Sequence, residues 1–158
     1  MKYSNAMTTL FALFVAGLLL AGSVSAHADN TRCSLASVAG AYGFTTTGTI
    51  PAIGPVAATG TFTQDASGNL TGGQTRSLNG AIADETFTGT ATVNSDCTGT
   101  DTIQVFQDGT PVRSSTLHVV YDDNTREARA IFTSLVLQNG ASLPSILTIE
   151  ARKMFPKN

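Results

Sequence analysis

The sequence predicts an all-β domain: an eight-stranded antiparallel up-and-down barrel, with a two-sheet sandwich as the alternative. Three observations carry this. Apolar and small polar residues alternate with period two over most of the chain. Threonine and valine, which favour a pleated half-buried surface, dominate the alternation, and clusters of Gly, Asn, Asp and Pro interrupt it at short intervals. No segment beyond Asn30 has a convincing helical period.

The start of the chain differs in kind. "MKYSNAMTTLFALFVAGLLLAGSVSAHADN" carries one positive charge, Lys2, ahead of an apolar run from Leu10 to Leu20, and small residues follow. Both Val24-Ser25-Ala26 and Ala26-His27-Ala28 suit a signal-peptidase site. The apolar run is about a dozen residues, short of the roughly twenty that a membrane-spanning helix needs. Residues 1–26 are therefore expected to be a cleaved signal peptide and residues 27–158 a single secreted or periplasmic domain, with cleavage after Ala28 the alternative. Cys33 follows Asn30-Thr31-Arg32, unlike the small-apolar context of a lipoprotein, so no membrane attachment of the mature form is expected.

Export assigns the cysteines. In an oxidising compartment Cys33 and Cys97 are most simply a disulfide. Such a bond closes a loop of roughly 65 residues and removes roughly 4 kcal/mol of chain entropy from the unfolded state. A zinc site would need clustered histidines, and a thiol nucleophile a nearby base. The chain has 2 histidines, His27 and His118, so no metal or cofactor is expected.

The strands follow in order. "AYGFTTTGTI" puts Tyr42, Phe44 and Ile50 on one parity and threonines mainly on the other, and "PAIGP" ends it. "VAATGTFTQ" aligns Val56, Ala58, Gly60 and Phe62; the turn "DASGN" leads to a polar third strand, "LTGGQTRSL". Asn79-Gly80 is a strong hairpin signal. "ETFTGTATVN" aligns Glu85, Phe87, Gly89, Ala91 and Val93, and a turn at Asp96-Cys97 leads to a strand with Ile103 and Val105. Asp108-Gly109 turns the chain into "PVRSSTLHVVY", which Pro111 can begin but not interrupt. "REARAIFTSLVLQ" and "SILTIEARKM" complete the set, and Ser34 could cap a short helix before the first strand. Short turns throughout indicate a meander, which must close or pack face to face to hide its edges. The seventh strand has Ile131, Phe132, Leu135, Val136 and Leu137 on both parities, which predicts cover on both faces: by the Leu35–Val38 segment, by the tail "MFP", or by a second subunit in a homodimer. The hairpins from Thr59 and Thr88 resemble each other as strand, acidic turn, strand.

"GAYGFTTTGTI", "TGTFTQDASGNLTG", "VNSDCTGT" and "LTIEARK" resemble a group of small exported bacterial β-proteins of uncharacterised function. The matching positions are Gly40, Tyr42 and Phe44, then Gly60 and Phe62, then Asp96, Cys97, Gly99 and Thr100. The resemblance implies a barrel similar to those of allene oxide cyclase, dirigent and lipocalin proteins. It implies nothing about activity: the lipocalin Gly-x-Trp signature is missing from a chain with 0 tryptophans.

Charge and chemistry narrow the function classes. The formal net charge is −2 with charges scattered singly, which excludes nucleic acid as the main partner. His118 lies on the parity of Val112, Thr116 and Val120, facing away from Leu117, Val119 and Tyr121, as a surface histidine would. No serine joins it in a triad pattern. "DDNTRE" and "DASGN" lack the ligand spacing of a calcium loop, and Asn69-Leu70-Thr71 is a glycosylation sequon only in a host that uses it. Glu85 and Arg113 stand on the apolar parity of their strands. If they are strand ends they meet water; if they face the lumen they must find partners there. With Tyr42, Phe44 and Tyr121 as walls, they would form a polar clamp for a small ligand.

The expectation is a non-catalytic barrel that binds a small apolar or amphipathic molecule or serves an interaction role. The alternatives are a cyclase- or isomerase-like enzyme using Glu85 or Tyr121, and a filled-core structural or inhibitor protein. A cavity of about 300 Å³ or more with Glu85 and Arg113 inside favours the first two readings. Filling by Phe44, Phe62 and Phe87 favours the third.

Overall fold

The computed structural model describes residues 33–122 and 124–154. The leader, both cleavage positions and the tail from Phe155 lie outside the described residues. A short helix, α1 (Leu35–Val38), precedes β1 (Gly40–Ile50), β2 (Gly54–Gln64), β3 (Asn69–Leu78), β4 (Ala81–Val93), β5 (Thr98–Gln107), β6 (Thr110–Asp122), β7 (Glu127–Leu137) and β8 (Ile146–Lys153). Each strand pairs antiparallel with its successor, and β8 returns to β1, Tyr42 opposite Lys153 and Thr49 opposite Ile146. The result is the closed up-and-down barrel, not the sandwich.

The turns use the chemistry read in the sequence. Asn79-Gly80 and Asp108-Gly109 have positive φ throughout, as two-residue hairpins of matching twist require. The two similar hairpins are built alike: Asp65 Oδ1 accepts from the Ser67 and Asn69 amides, and Asp96 Oδ1 from the amide and hydroxyl of Thr98. Those acceptors brace turns, and among the described residues no acidic, His or Cys cluster could hold a metal ion.

The seventh strand corrects the sequence reading. Thr116 pairs with Ser134 but Leu117 pairs with Phe132, so Thr133 is an extra residue that has no partner in the ladder. The bulge switches the inward parity. Ala128 and Phe132 face the lumen before it, Leu135 and Leu137 after it, while Ile131 is exposed. The bulge puts Phe132, Leu135 and Leu137, of both parities, on the inner face, while Ile131 and Val136 keep to the outer one. A second bulge, where Val105 pairs with Arg113 but Phe106 with Pro111, likewise brings Val112 inward beside Arg113.

α1 instead closes one end of the barrel, the floor. Ser34 caps it, accepting from the Ser37 amide. Val38 is wholly buried, its carbonyl accepts from the Tyr42 hydroxyl at 2.6 Å, and the Ser37 carbonyl accepts from Lys153 Nζ and Thr125 Oγ1. The Cys33–Cys97 disulfide, with Cα atoms 4.9 Å apart and a sequence separation of 64, ties the segment before α1 to the β4–β5 turn.

The Cys33→Ser/Cys97→Ser double variant should lose about 2–4 kcal/mol in urea denaturation. An unchanged midpoint would mean that the bond constrains nothing.

Candidate functional site

The barrel interior is apolar at both ends and polar between. One buried cluster, containing Tyr42, Phe44, Phe87, Val105 and Leu117, fills the floor half; Ile50, Val56, Leu135 and Leu147 form a separate cluster towards the opposite end. Between them the alternation turns Thr46, Gln74, Arg76, Glu85, Arg113 and Ser115 inward, and all six line one cavity. Its volume is about 230 Å³, and every strand contributes to its wall. Ile53 and Leu143, from the β1–β2 and β7–β8 connections, also line it, and Ile53 is 42% exposed. The cavity therefore reaches the rim opposite α1.

Aromatic packing explains where the filling stops. Tyr42 stacks on Phe62 with centroids 4.9 Å apart, and Phe44 lies against both Phe62 and Phe87 at 5.8 and 6.0 Å. Gly72 makes this layer possible: a Cβ there would come within 2.5 Å of the Phe87 ring and 2.6 Å of the Thr61 carbonyl. The phenyl rings thus fill much of the floor half, and the hollow beside and above them reaches down to Asp101 and Leu117, at a volume below the ~300 Å³ of usual small-molecule pockets.

Glu85 organises the polar belt. Its side chain is 0% exposed. Arg113 binds it through both terminal nitrogens, each at 2.7 Å, Arg76 Nε donates to Oε1 at 2.9 Å, and Gln74 Nε2 donates to Oε2 at 2.8 Å. Each carboxylate oxygen accepts two bonds, so its acceptor capacity is filled. Burial would raise the Glu85 pKa, but the hydrogen bonds and charge of Arg113, with Gln74 and Arg76, outweigh it and hold the group at about 2. Arg76 Nη1 is buried with no hydrogen-bond partner.

Asp101 lies deeper, two inward positions from Val105 towards the floor, where it pairs with Ala91 and Leu117. It lines the same cavity; its Oδ1 is buried without a partner, and burial raises its pKa to about 7. Ser115 Oγ, between the levels of Arg113 and Asp101, is also buried and unpartnered. The Tyr121 hydroxyl donates to Gln64 Oε1 at 3.1 Å, and burial, then the Asp101 charge, pushes its pKa up; the same causes raise Tyr42.

Of the residues read from the sequence, Phe44, Glu85 and Arg113 meet at this cavity. Glu85 and Arg113 are not strand ends in water. Tyr42 and Tyr121 point inward but belong to the floor packing below the cavity. His118 is exposed, as its parity required. Gln74, Arg76, Asp101 and Ser115 were not singled out. The first two share parity with Leu70 and Leu78, and Asp101 with Ile103 and Val105, which was the available signal.

No protein-family model and no curated protein sequence matches the chain. Among solved structures it is similar to two small β-barrels bound to DFHBI. The redesigned barrel mFAP1 aligns with TM-score 0.53 and 16% identity over 76% of this chain and 98% of that one. EF1p2_mFAP2b aligns with TM-score 0.56 and 14% identity over 79% and 98%. At these identities the likeness is one of fold.

Two stability measurements test the site. Glu85→Ala, which strands two arginines, should cost about 3–5 kcal/mol in urea denaturation; a loss below ~1 kcal/mol would place Glu85 in water. The pH dependence separates the two acids. Glu85, lowered from 4.5 to about 2, contributes stability above its ordinary value and loses it as pH falls through about 2. Asp101, raised from 3.8 to about 7, does the reverse: it costs stability progressively as pH rises from its ordinary value to about 7, and the cost is constant above. Asp101→Asn should therefore flatten the decline in unfolding free energy between pH 4 and pH 8. Parallel wild-type and variant curves would contradict a buried Asp101.

Proposed function

We propose that the mature chain is an exported, non-catalytic binding barrel whose lumen holds a small, mainly apolar molecule bearing a polar group. The cavity carries this reading: an apolar wall drawn from all eight strands, interrupted by one belt of buried polar atoms. Apolar enclosure supplies affinity, and a few placed polar groups supply orientation. The two similar barrels of known structure hold a small molecule, DFHBI, which supports the same use of this architecture. The leader-like first 26 residues and the disulfide support export. Among the described residues no helix is long and apolar enough to cross a membrane.

The enzyme alternative through Glu85 or Tyr121 has little chemical support. Glu85 is a weak base at about 2 with every acceptor site engaged. The Tyr121 hydroxyl keeps its proton, donating a hydrogen bond to Gln64 Oε1, and burial opposes its ionisation. The filled-core alternative describes the floor half, where Phe44, Phe62 and Phe87 pack; the cavity of about 230 Å³ falls short of the ~300 Å³ criterion but holds Glu85 and Arg113.

Native mass spectrometry of protein purified from its own host should show an adduct of small-molecule mass, and stripped protein should gain thermal stability with octan-1-ol. Adduct-free protein with no gain from octan-1-ol would contradict a binding lumen.

A further inference from the structure

Resting on that binding reading, we infer that the ligand is a small amphiphile with one negative charge, its carboxylate or equivalent anion lying against Arg76 beside the Glu85–Arg113 pair. The belt holds two guanidinium groups against one carboxylate, all three in the cavity wall. Arg113 spends both terminal nitrogens on Glu85, whereas Arg76 spends only Nε and leaves Nη1 buried without an acceptor. Glu85 cannot supply that acceptor, because its four sites are taken. A buried cation with a free N–H is costly unless something else accepts from it. An anion is the natural complement, since charge-assisted bonds to guanidinium are the strong ones and Arg presents a fixed fork.

The other charged group in the cavity is Asp101. Asp101 lies four residues along β6 from Arg113 by register, since Val105 pairs with Arg113 and Asp101 with Leu117. At about 3.3 Å per residue that separation is roughly 13 Å along the strand. Below its raised pKa of about 7 it is neutral, and the lumen then carries a net positive charge at the belt. A cavity of about 230 Å³ accommodates a short-chain or single-ring acid.

The test compares three eight-carbon probes with the oxidised, signal-free barrel at pH 6 by calorimetry and amide chemical-shift titration: octanoate, octan-1-ol and octylammonium. Octanoate should bind about tenfold or more tighter than octan-1-ol, and octylammonium weakest of the three. Arg76→Gln should bring octanoate to within about threefold of octan-1-ol measured on the same variant, and Arg76→Lys should restore part of the preference. Octan-1-ol binding as tightly as octanoate to the wild-type barrel would overturn the anion inference and leave the binding lumen standing. An octanoate preference that survives in a folded Arg76→Gln variant would overturn the role of Arg76. If none of the three binds, the binding lumen itself fails, and this inference with it.

Discussion

A carboxylate with no access to water must be surrounded by donors, and Glu85 imposes that demand on the middle of the barrel. Its partners come from β3 (Gln74, Arg76) and β6 (Arg113) while it stands on β4. Meeting at one height requires the registers of three strands to agree. The bulge at Val105/Phe106 adds Val112 beside Arg113, which alternation alone already turns inward. Removing one partner would leave an uncompensated buried charge, which is far more costly than the net worth of the cluster. The cavity lies at the level of this belt and extends beyond it towards both ends.

The two ends of the barrel do different work. The floor is packed, stapled and capped: the stacked Tyr42 and Phe62 rings, the wholly buried Val38, the Tyr42–Val38 hydrogen bond and the disulfide all converge there. The opposite rim has turns and a loop. Beyond Ile131, β7 no longer pairs with β8; instead the Leu137 amide donates to the Ala141 carbonyl and the Leu143 amide to the Leu135 carbonyl. Leu143 and Ile53 reach from these connections over the cavity. Rigidity at one end and connecting loops at the other is the arrangement that lets a lumen admit a molecule without opening the sheet.

Period-two alternation made most of the fold legible. It assigned inward residues on β1, β2, β4 and β5, and the Asn-Gly and Asp-Gly turns assigned the hairpins. The bulges were hidden because one inserted residue leaves no compositional mark; Thr133 resembles every other threonine of the chain. That is why Phe132, Leu135 and Leu137 read as belonging to two faces when they share one. Glu85 and Arg113 were legible as inward charges, but parity gives a face and not a height, so their meeting could not be read. Arg76 and Gln74 were lost in a strand polar on both parities. Asp101 stood unremarked in the fifth strand, though it shares a face with Ile103 and Val105. Tyr42 and Tyr121 were legible as inward but not as floor, since the register of closure sets their depth.

Ligand binding requires a lumen that is hollow above the phenylalanine layer and accessible from the rim. Isotope-filtered nuclear Overhauser spectroscopy of the methyl-labelled barrel with unlabelled octan-1-ol tests this directly. Contacts to the methyl groups of Val105, Leu117 and Leu135, which are 1%, 3% and 2% exposed, are the predicted result. Contacts confined to Ile82 and Ile146, each 68% exposed on the outside, would contradict it.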